Sequence, residues 1–146
     1  MQRPILLADD SEADRELALI AFERSGITNR VIAVADGKEA LEFLNREGRW
    51  ANRERVPPAF VMLDLKMPIV DGFAVLTAMQ RSPFLRHIPV VVLTSSRREE
   101  DLVRAYNHGA NAYVVKPIEF PEFERAIFDL GRMWGMLNVP PPALPV

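Results

Sequence analysis

The sequence predicts an α/β protein: a doubly wound, five-stranded parallel sheet in the order 2-1-3-4-5, with five helices in the connections. Three observations predict it. Five short runs are apolar at every position rather than at every second one, as strands covered on both faces are. Longer segments with helical spacing separate these runs, and that alternation calls for a parallel sheet with right-handed crossovers. Cap residues stand where the periodic segments begin and end.

In chain order, Ile5 to Ala8 is the first strand, and Leu17, Ile20, Ala21 and Arg24 mark one face of the first helix. Val31 to Val34 is the second strand. Asp36 is placed to cap a helix starting at Gly37, whose apolar face is Ala40, Leu41 and Leu44. Residues 46–58 make a long connection that carries Arg46, Arg49, Arg53 and Arg55 around Trp50, and a solvated loop is expected there. Phe60 to Leu63 is the third strand, ending abruptly in Asp64. Met67-Pro68 then bends the chain, and Asp71-Gly72 supplies a turn and cap for a helix with Val75, Leu76 and Met79 on its inner face. Val90 to Leu93 is the fourth strand. The charged run Arg97 to Asp101 reads as the solvated start of a helix with Leu102, Val103 and Tyr106 on one face, closed by Gly109. Ala112 to Val115 is the fifth strand. The last helix starts near Glu119 and carries the stripe Phe120, Phe123, Ile127, Leu130, Trp134 and Leu137. The closing "PPPALPV" cannot be helical, because consecutive prolines lack the amide donor and clash. Residues 1–137 are thus expected to form one domain, with 138–146 as a proline-rich tail.

Composition narrows the class. The chain has 146 residues, 49% apolar and 26% charged, with a net charge of −2. That suits a single globular domain and gives no electrostatic footprint for nucleic acid or a membrane surface. With no cysteine, disulfides, thiolate nucleophiles and thiolate metal sites are excluded. The apolar run at Ile5 to Ala8 is too short for a signal-peptide core or a membrane span, and a cytoplasmic location is expected. His87 and His108 show no ligand spacing; His108 falls at a helix end, where it favours the helix dipole.

Function is sought at the carboxyl ends of the strands, where open parallel sheets build their sites. Asp9 and Asp10 follow the first strand, Asp64 the third, Thr94, Ser95 and Ser96 the fourth, and Lys116-Pro117 the fifth. In the order 2-1-3-4-5 the first and third strands are neighbours, so three carboxylates converge and need a counter-ion. Oxygen ligands with no His or Cys suit a hard cation, and Mg²⁺ is expected. Asp64 then reads as a nucleophile toward a phosphoryl group, Lys116 as a point charge on a phosphoryl oxygen, and Thr94 as a hydroxyl donor to another.

The motifs "LLADD", "VMLDLKMPIVDG", "VVVLTSS" and "AYVVKP", in this order and spacing, resemble the response-regulator receiver domains of two-component signalling. The resemblance implies a flavodoxin-like receiver fold and phosphoryl transfer from a histidine kinase to Asp64. It implies Mg²⁺ held by Asp10, Asp64 and the backbone carbonyl of Lys66, with Asp9 acting through a coordinated water or the acidic cluster. Thr94 and Tyr113 become the switch pair, and the peptide bond before Pro117 is expected to be cis. Lys66 and Ser96 occupy the positions that tune phosphoryl lifetime in such domains. "LTSSRREED" and "GANAYVVKP", the long loop and the extended last helix resemble the stand-alone receivers that partner phytochrome-type light-sensing kinases.

Other readings are open to the same residues. A haloacid-dehalogenase-type phosphatase needs a second acid two positions after the nucleophile, and Lys66 stands there. A flavodoxin-like nucleotide binder needs a glycine- or hydroxyl-rich loop where "ADDSEAD" stands. A phosphorelay intermediate, passing its phosphoryl to a downstream histidine phosphotransfer protein, shares the chemistry. The chain is not expected to be an enzyme beyond its own phosphorylation and dephosphorylation. No DNA-binding segment follows the last helix, so output by protein contact is expected. Phe128 and Met133 lie off the core stripe, and Met136 and Leu137 extend past it, which predicts a homodimer built on the fourth and fifth helices, the fifth strand and the C-terminal extension, with the tail as an arm along the second subunit.

Overall fold

The structure is a computed structural model that describes residues 2–116 and 118–142. Its five parallel strands are β1 (Ile5–Ala8), β2 (Val31–Val34), β3 (Phe60–Leu63), β4 (Val90–Thr94) and β5 (Ala112–Val115). They lie in the order β2-β1-β3-β4-β5. The helices are α1 (Glu12–Arg24), α2 (Gly37–Asn45), α3 (Gly72–Arg81), α4 (Glu99–Asn107) and α5 (Phe120–Leu130). The chain continues from α5 as a wider π-helical segment, Gly131–Leu137. The expected cis bond at Pro117 falls outside the described residues.

Alternation along the strands splits the core in two. Leu6, Ala8, Val61, Leu63, Val90 and Val92 point to one side, under α2, α3 and α4. Ile5, Leu7, Phe60, Met62, Val91 and Leu93 point to the other, against α1 and α5. Both sets are buried, which is why the strands read as unbroken apolar runs. Caps fall where the sequence places them. The Asp36 and Asp71 carboxylates accept from the amides of Glu39 and Ala74, and Gly109 follows α4 at a φ of 99°.

Three expectations are corrected. On α1 the buried face is Ala18, Ala21 and Phe22, while Leu17 and Ile20 are 46% and 45% exposed. Two stripes at helical spacing overlap on this helix, and the one with two alanines lets its backbone sit closer to the sheet. On α4 only Ala105 is buried; Leu102, Val103 and Tyr106 face outward. On the last helix Phe123 and Ile127 are buried and Trp134 reaches Phe60, with ring centroids 5.9 Å apart, but Leu137 is 58% exposed, so the stripe loses its cover before its end.

The connection after α2 is also more than a solvated loop. Arg46 ends α2 in the left-handed region, and residues 48–50 form a 3-10 turn. Trp50 packs edge-on against Phe43 at 5.0 Å between ring centroids. The Arg53 guanidinium lies 4.0 Å from the Phe43 ring centroid and donates to the carbonyls of Phe43, Glu54 and Val56. The described part of the tail, Pro140, Pro141 and Pro142, lies beside Pro57, Pro58, Phe84 and Pro89.

Two glycines let the loop after β3 pack closely. A Cβ at Gly72 would stand 2.3 Å from the Asp64 carbonyl oxygen, and one at Gly37 would stand 1.9 Å from the Val70 carbonyl oxygen. Both obstacles are backbone, so neither can swing aside. Gly72→Ala is expected to lower the unfolding free energy by about 1–3 kcal/mol through overpacking, read from urea melts. A loss under about 0.5 kcal/mol would show that the loop yields freely.

Candidate functional site

The strand register assembles the site. Ala8 is paired with Val34 and with Leu63, so Asp9 and Asp64 come next on adjacent strands. The ladder carries on past the strand ends: the Asp64 amide donates to the Ala8 carbonyl at 2.9 Å, and the Asp9 amide to that of Val34 at 3.1 Å. At the far edge the Lys116 amide donates to the Thr94 carbonyl at 2.8 Å. The backbone of each residue is thus fixed before its side chain takes any part.

Asp9, Asp10 and Asp64 offer carboxylate oxygens that all lie within 4.8 Å of one another. Asp9 and Asp64 are buried and Asp10 is exposed, so the cluster opens to solvent at one corner. Asp9 Oδ1 accepts from the Ser11 amide at 3.0 Å, and Asp64 Oδ1 from the Lys66 amide at 3.3 Å. The Lys66 backbone thus reaches the site through its N–H, and the residue is exposed.

Lys116 supplies the compensating charge. Its Nζ donates to Asp9 Oδ2 at 2.7 Å, to Asp14 Oδ2 at 2.7 Å and, more loosely, to Asp64 Oδ2 at 3.4 Å. Burial alone would favour its neutral form, but hydrogen bonds to Asp14 and Asp9 and the charges of Asp64 and Asp9 override it and raise its pKa. Burial dominates at Asp9, lifting its carboxyl above the ordinary range against the hydrogen bonds from Lys116 and Ser11. Among the described residues, the Lys116 ammonium is thus shared by three carboxylates, while the Arg15 guanidinium donates to the Asp9 carbonyl at 2.7 Å.

The second half of the predicted set assembles on β4 and β5. Thr94 is fully buried, and its hydroxyl accepts from the Ser96 amide at 3.4 Å. The Ser96 hydroxyl donates to Asp101 Oδ2 at 2.6 Å, tying the β4–α4 loop to the first turn of α4. The half-buried Tyr113 donates its hydroxyl to the Ser96 carbonyl at 3.0 Å, so the ring is anchored to the same loop; burial raises its pKa. Phe128, Met133, Met136 and Leu137 lie apart from this set, all exposed.

Asp14 and Asp101 were missed by the sequence reading. Asp14 stands three residues after Ser11, whose hydroxyl accepts its amide at 3.2 Å, so it reads as an ordinary acid in a helix first turn. Its one further signal is its place a helical turn after Asp10, on the side of α1 that the site occupies. Beside it, Asp14, Leu17, Leu93, Lys116, Ile118, Phe120 and Phe123 line a mainly apolar cavity of about 140 Å³. Among the described residues no helix is long and apolar enough to cross a membrane.

Comparison with known proteins agrees with this geometry. The family described as response regulator receiver domain matches residues 5–128. A probable methanogenesis regulatory protein, FilR2 of Methanothrix harundinacea, is 43% identical over 141 residues, covering 95% of this chain and 88% of that one. The bacteriophytochrome response regulator RtBRR is 54% identical, with a TM-score of 0.80 over 97% of this chain and 86% of its own. The phosphorylated cyanobacterial phytochrome response regulator RcpA is 32% identical, with a TM-score of 0.86 over 97% of this chain and 100% of its own. The Mn²⁺-bound form of response regulator Rcp1 is also 32% identical, with a TM-score of 0.84 over 96% and 99%. The phosphatase, nucleotide-binding and relay readings are not favoured; the chain belongs to the response regulator receiver family and is homologous to phytochrome response regulators.

Proposed function

We propose that Asp64 accepts a phosphoryl group from a phosphohistidine of a sensor histidine kinase, of the phytochrome type, in the cytoplasm. The observation that carries this reading is the ammonium of Lys116, 2.7 Å from Asp9 and 3.4 Å from Asp64, where strand ends bring three carboxylates together. An Asp64 oxygen attacks phosphorus, the P–N bond to the donor imidazole breaks, and its electron pair stays on the ring nitrogen. The product is an acyl phosphate. Lys116 has three donors, and the one aimed loosely at Asp64 is free to take a phosphoryl oxygen. Thr94 supplies a second donor, and Tyr113 follows the loop that Thr94 moves. The kinship with a phosphorylated phytochrome response regulator supports the chemistry and the class of donor.

The donor set fits a hard divalent cation: all oxygen, anionic and open to water at Asp10. Asp10, Asp64 and the Lys66 carbonyl would hold Mg²⁺, with Asp9 supporting through a water, and the ion would supply neutralisation of the charge gathered by phosphoryl transfer. A Mn²⁺-bound relative supports this. On this reading the protein catalyses only its own phosphorylation and dephosphorylation. Lys66 and Ser96 set how long the acyl phosphate lasts.

Output is read as protein contact, beginning with a homodimer. Phe128, Met133, Met136 and Leu137 of the last helix and its extension are 45%, 51%, 67% and 58% exposed. With Leu102, Val103 and Tyr106 of α4 they leave more apolar surface in water than a monomer usually keeps.

Three measurements test the reading. Incubated with a phosphorylated kinase or acetyl phosphate and Mg²⁺, the protein should gain one base-labile phosphoryl, detected by mass. Asp64→Asn should gain none, and Lys66→Ala should label but decay at a changed rate. Labelling of Asp64→Asn at the native rate would overturn the assignment. Millimolar Mg²⁺ should raise the melting temperature by about 3–6 °C at matched ionic strength, and Asp10→Asn should lose most of that rise. Identical melts with and without Mg²⁺ would refute the metal site. Light scattering should show a dimer at tens of micromolar, shifted to monomer by Phe128→Glu combined with removal of residues 137–146. A mass that stays monomeric throughout, phosphorylated or not, would dismiss the interface.

A further inference from the structure

We propose that Asp14 is a positioning residue that acts through Lys116: it restrains the ammonium in the resting protein and releases it to the incoming phosphoryl group, so that the Asp14–Lys116 pair sets how readily Asp64 is phosphorylated. The inference rests on the reading of Asp64 as phosphoryl acceptor. Lys116 Nζ is shared equally between Asp9 and Asp14, at 2.7 Å each, and stands off from Asp64 at 3.4 Å. A lysine has three donors, so two are committed away from the reacting carboxylate.

Burial decides which partner gives way. The Asp9 side chain is 3% exposed, and losing its cation would strand a charge in the core. The Asp14 side chain is 37% exposed, so water can solvate it as soon as the ammonium leaves. Its location in the first turn of α1 also holds it near the positive end of the helix dipole, which further reduces the cost of losing Lys116. Asp9 is therefore the fixed anchor of Lys116 and Asp14 its exchangeable partner. A phosphoryl group, carrying more negative charge than a carboxylate, draws the ammonium toward Asp64 against the pull of Asp14.

The test compares the wild type with Asp14→Asn, which keeps an acceptor oxygen and the side-chain shape but removes the competing charge. With acetyl phosphate as donor, an Asp64 oxygen attacks phosphorus, the P–O bond to the acetyl group breaks, and acetate leaves with the bonding pair. Initial rates at saturating Mg²⁺ and the affinity for beryllofluoride, followed by fluorine NMR, are both read. Asp14→Asn is expected to raise both by about two- to tenfold. The exposed Glu12→Gln, an equal change of charge on the same helical turn, should leave them unchanged. In a Lys116→Ala background the effect of Asp14→Asn on beryllofluoride affinity should vanish, and the Lys116 ammonium nitrogen resonance should move in the single variant. Affinity that is unchanged or lower in Asp14→Asn, or raised equally without Lys116, would overturn the role of Asp14 while wild-type labelling on Asp64 still stood. A wild type that takes no phosphoryl at all would overturn the acceptor reading and this one with it.

Discussion

The carboxyl edge of this sheet is organised by a shortage of positive charge. Asp9, Asp10 and Asp64 are forced together by the register of β1 and β3, and Asp14 joins them from the first turn of α1. One ammonium, that of Lys116, reaches three of the four. Carboxylates at such spacing repel, and burial of Asp9 and Asp64 strengthens the repulsion by removing water. The fold can carry this arrangement because the apolar strands behind it are rigidly paired. The site remains poised because its charges are not fully matched. A cation and a phosphoryl group are the partners such a balance accepts on the proposed reading.

The rest of the molecule serves that edge. Unbroken hydrogen bonding between parallel strands carries the backbone past the last strand residue, so Asp9, Asp64 and Lys116 have no freedom to drift. The loop after β3 is pinned by the tight approach of Gly72 to the Asp64 carbonyl and of Gly37 to that of Val70. Within it, Ile69 is held at a φ of 69°, in a region that β-branched residues avoid. A three-residue turn from Pro68 to Val70, closed by the Val70 amide on the Pro68 carbonyl, holds it there at a cost of about 1–3 kcal/mol.

A second network leads outward. Thr94 is joined to Ser96, Ser96 to Asp101 on α4, and Tyr113 to the Ser96 carbonyl, each by a single hydrogen bond. The loop between β4 and α4 is thus tied at Ser96, whose hydroxyl also accepts from the Arg98 amide at 3.3 Å. The apolar residues of α4 face water next to it. Short hydrogen-bonded steps thus join Thr94 to the first turn of α4.

Local chemistry was legible in the sequence. Strands covered on both sides are apolar at every position, Asp and Gly at helix ends announce caps, and acids placed after apolar runs have to lie at strand ends. Those rules yield the alternation of strands and helices and place Asp9, Asp10, Asp64 and Lys116 at strand ends, because each depends on neighbours along the chain. The order 2-1-3-4-5, which brings them together, comes with the fold class and the family resemblance. Questions of rotation and reach were settled only by the tertiary structure. Periodicity fits two overlapping stripes on α1, and contact with the sheet chose Ala18, Ala21 and Phe22 over Leu17 and Ile20. Asp14 looks like a helix-start acid until β5 brings Lys116 within 2.7 Å of it, across 102 residues of sequence. The arginines around Trp50 look solvated until Phe43 gives Arg53 a ring to lie on. Each of these depends on what stands opposite a side chain in space, and spacing along one chain carries no record of that.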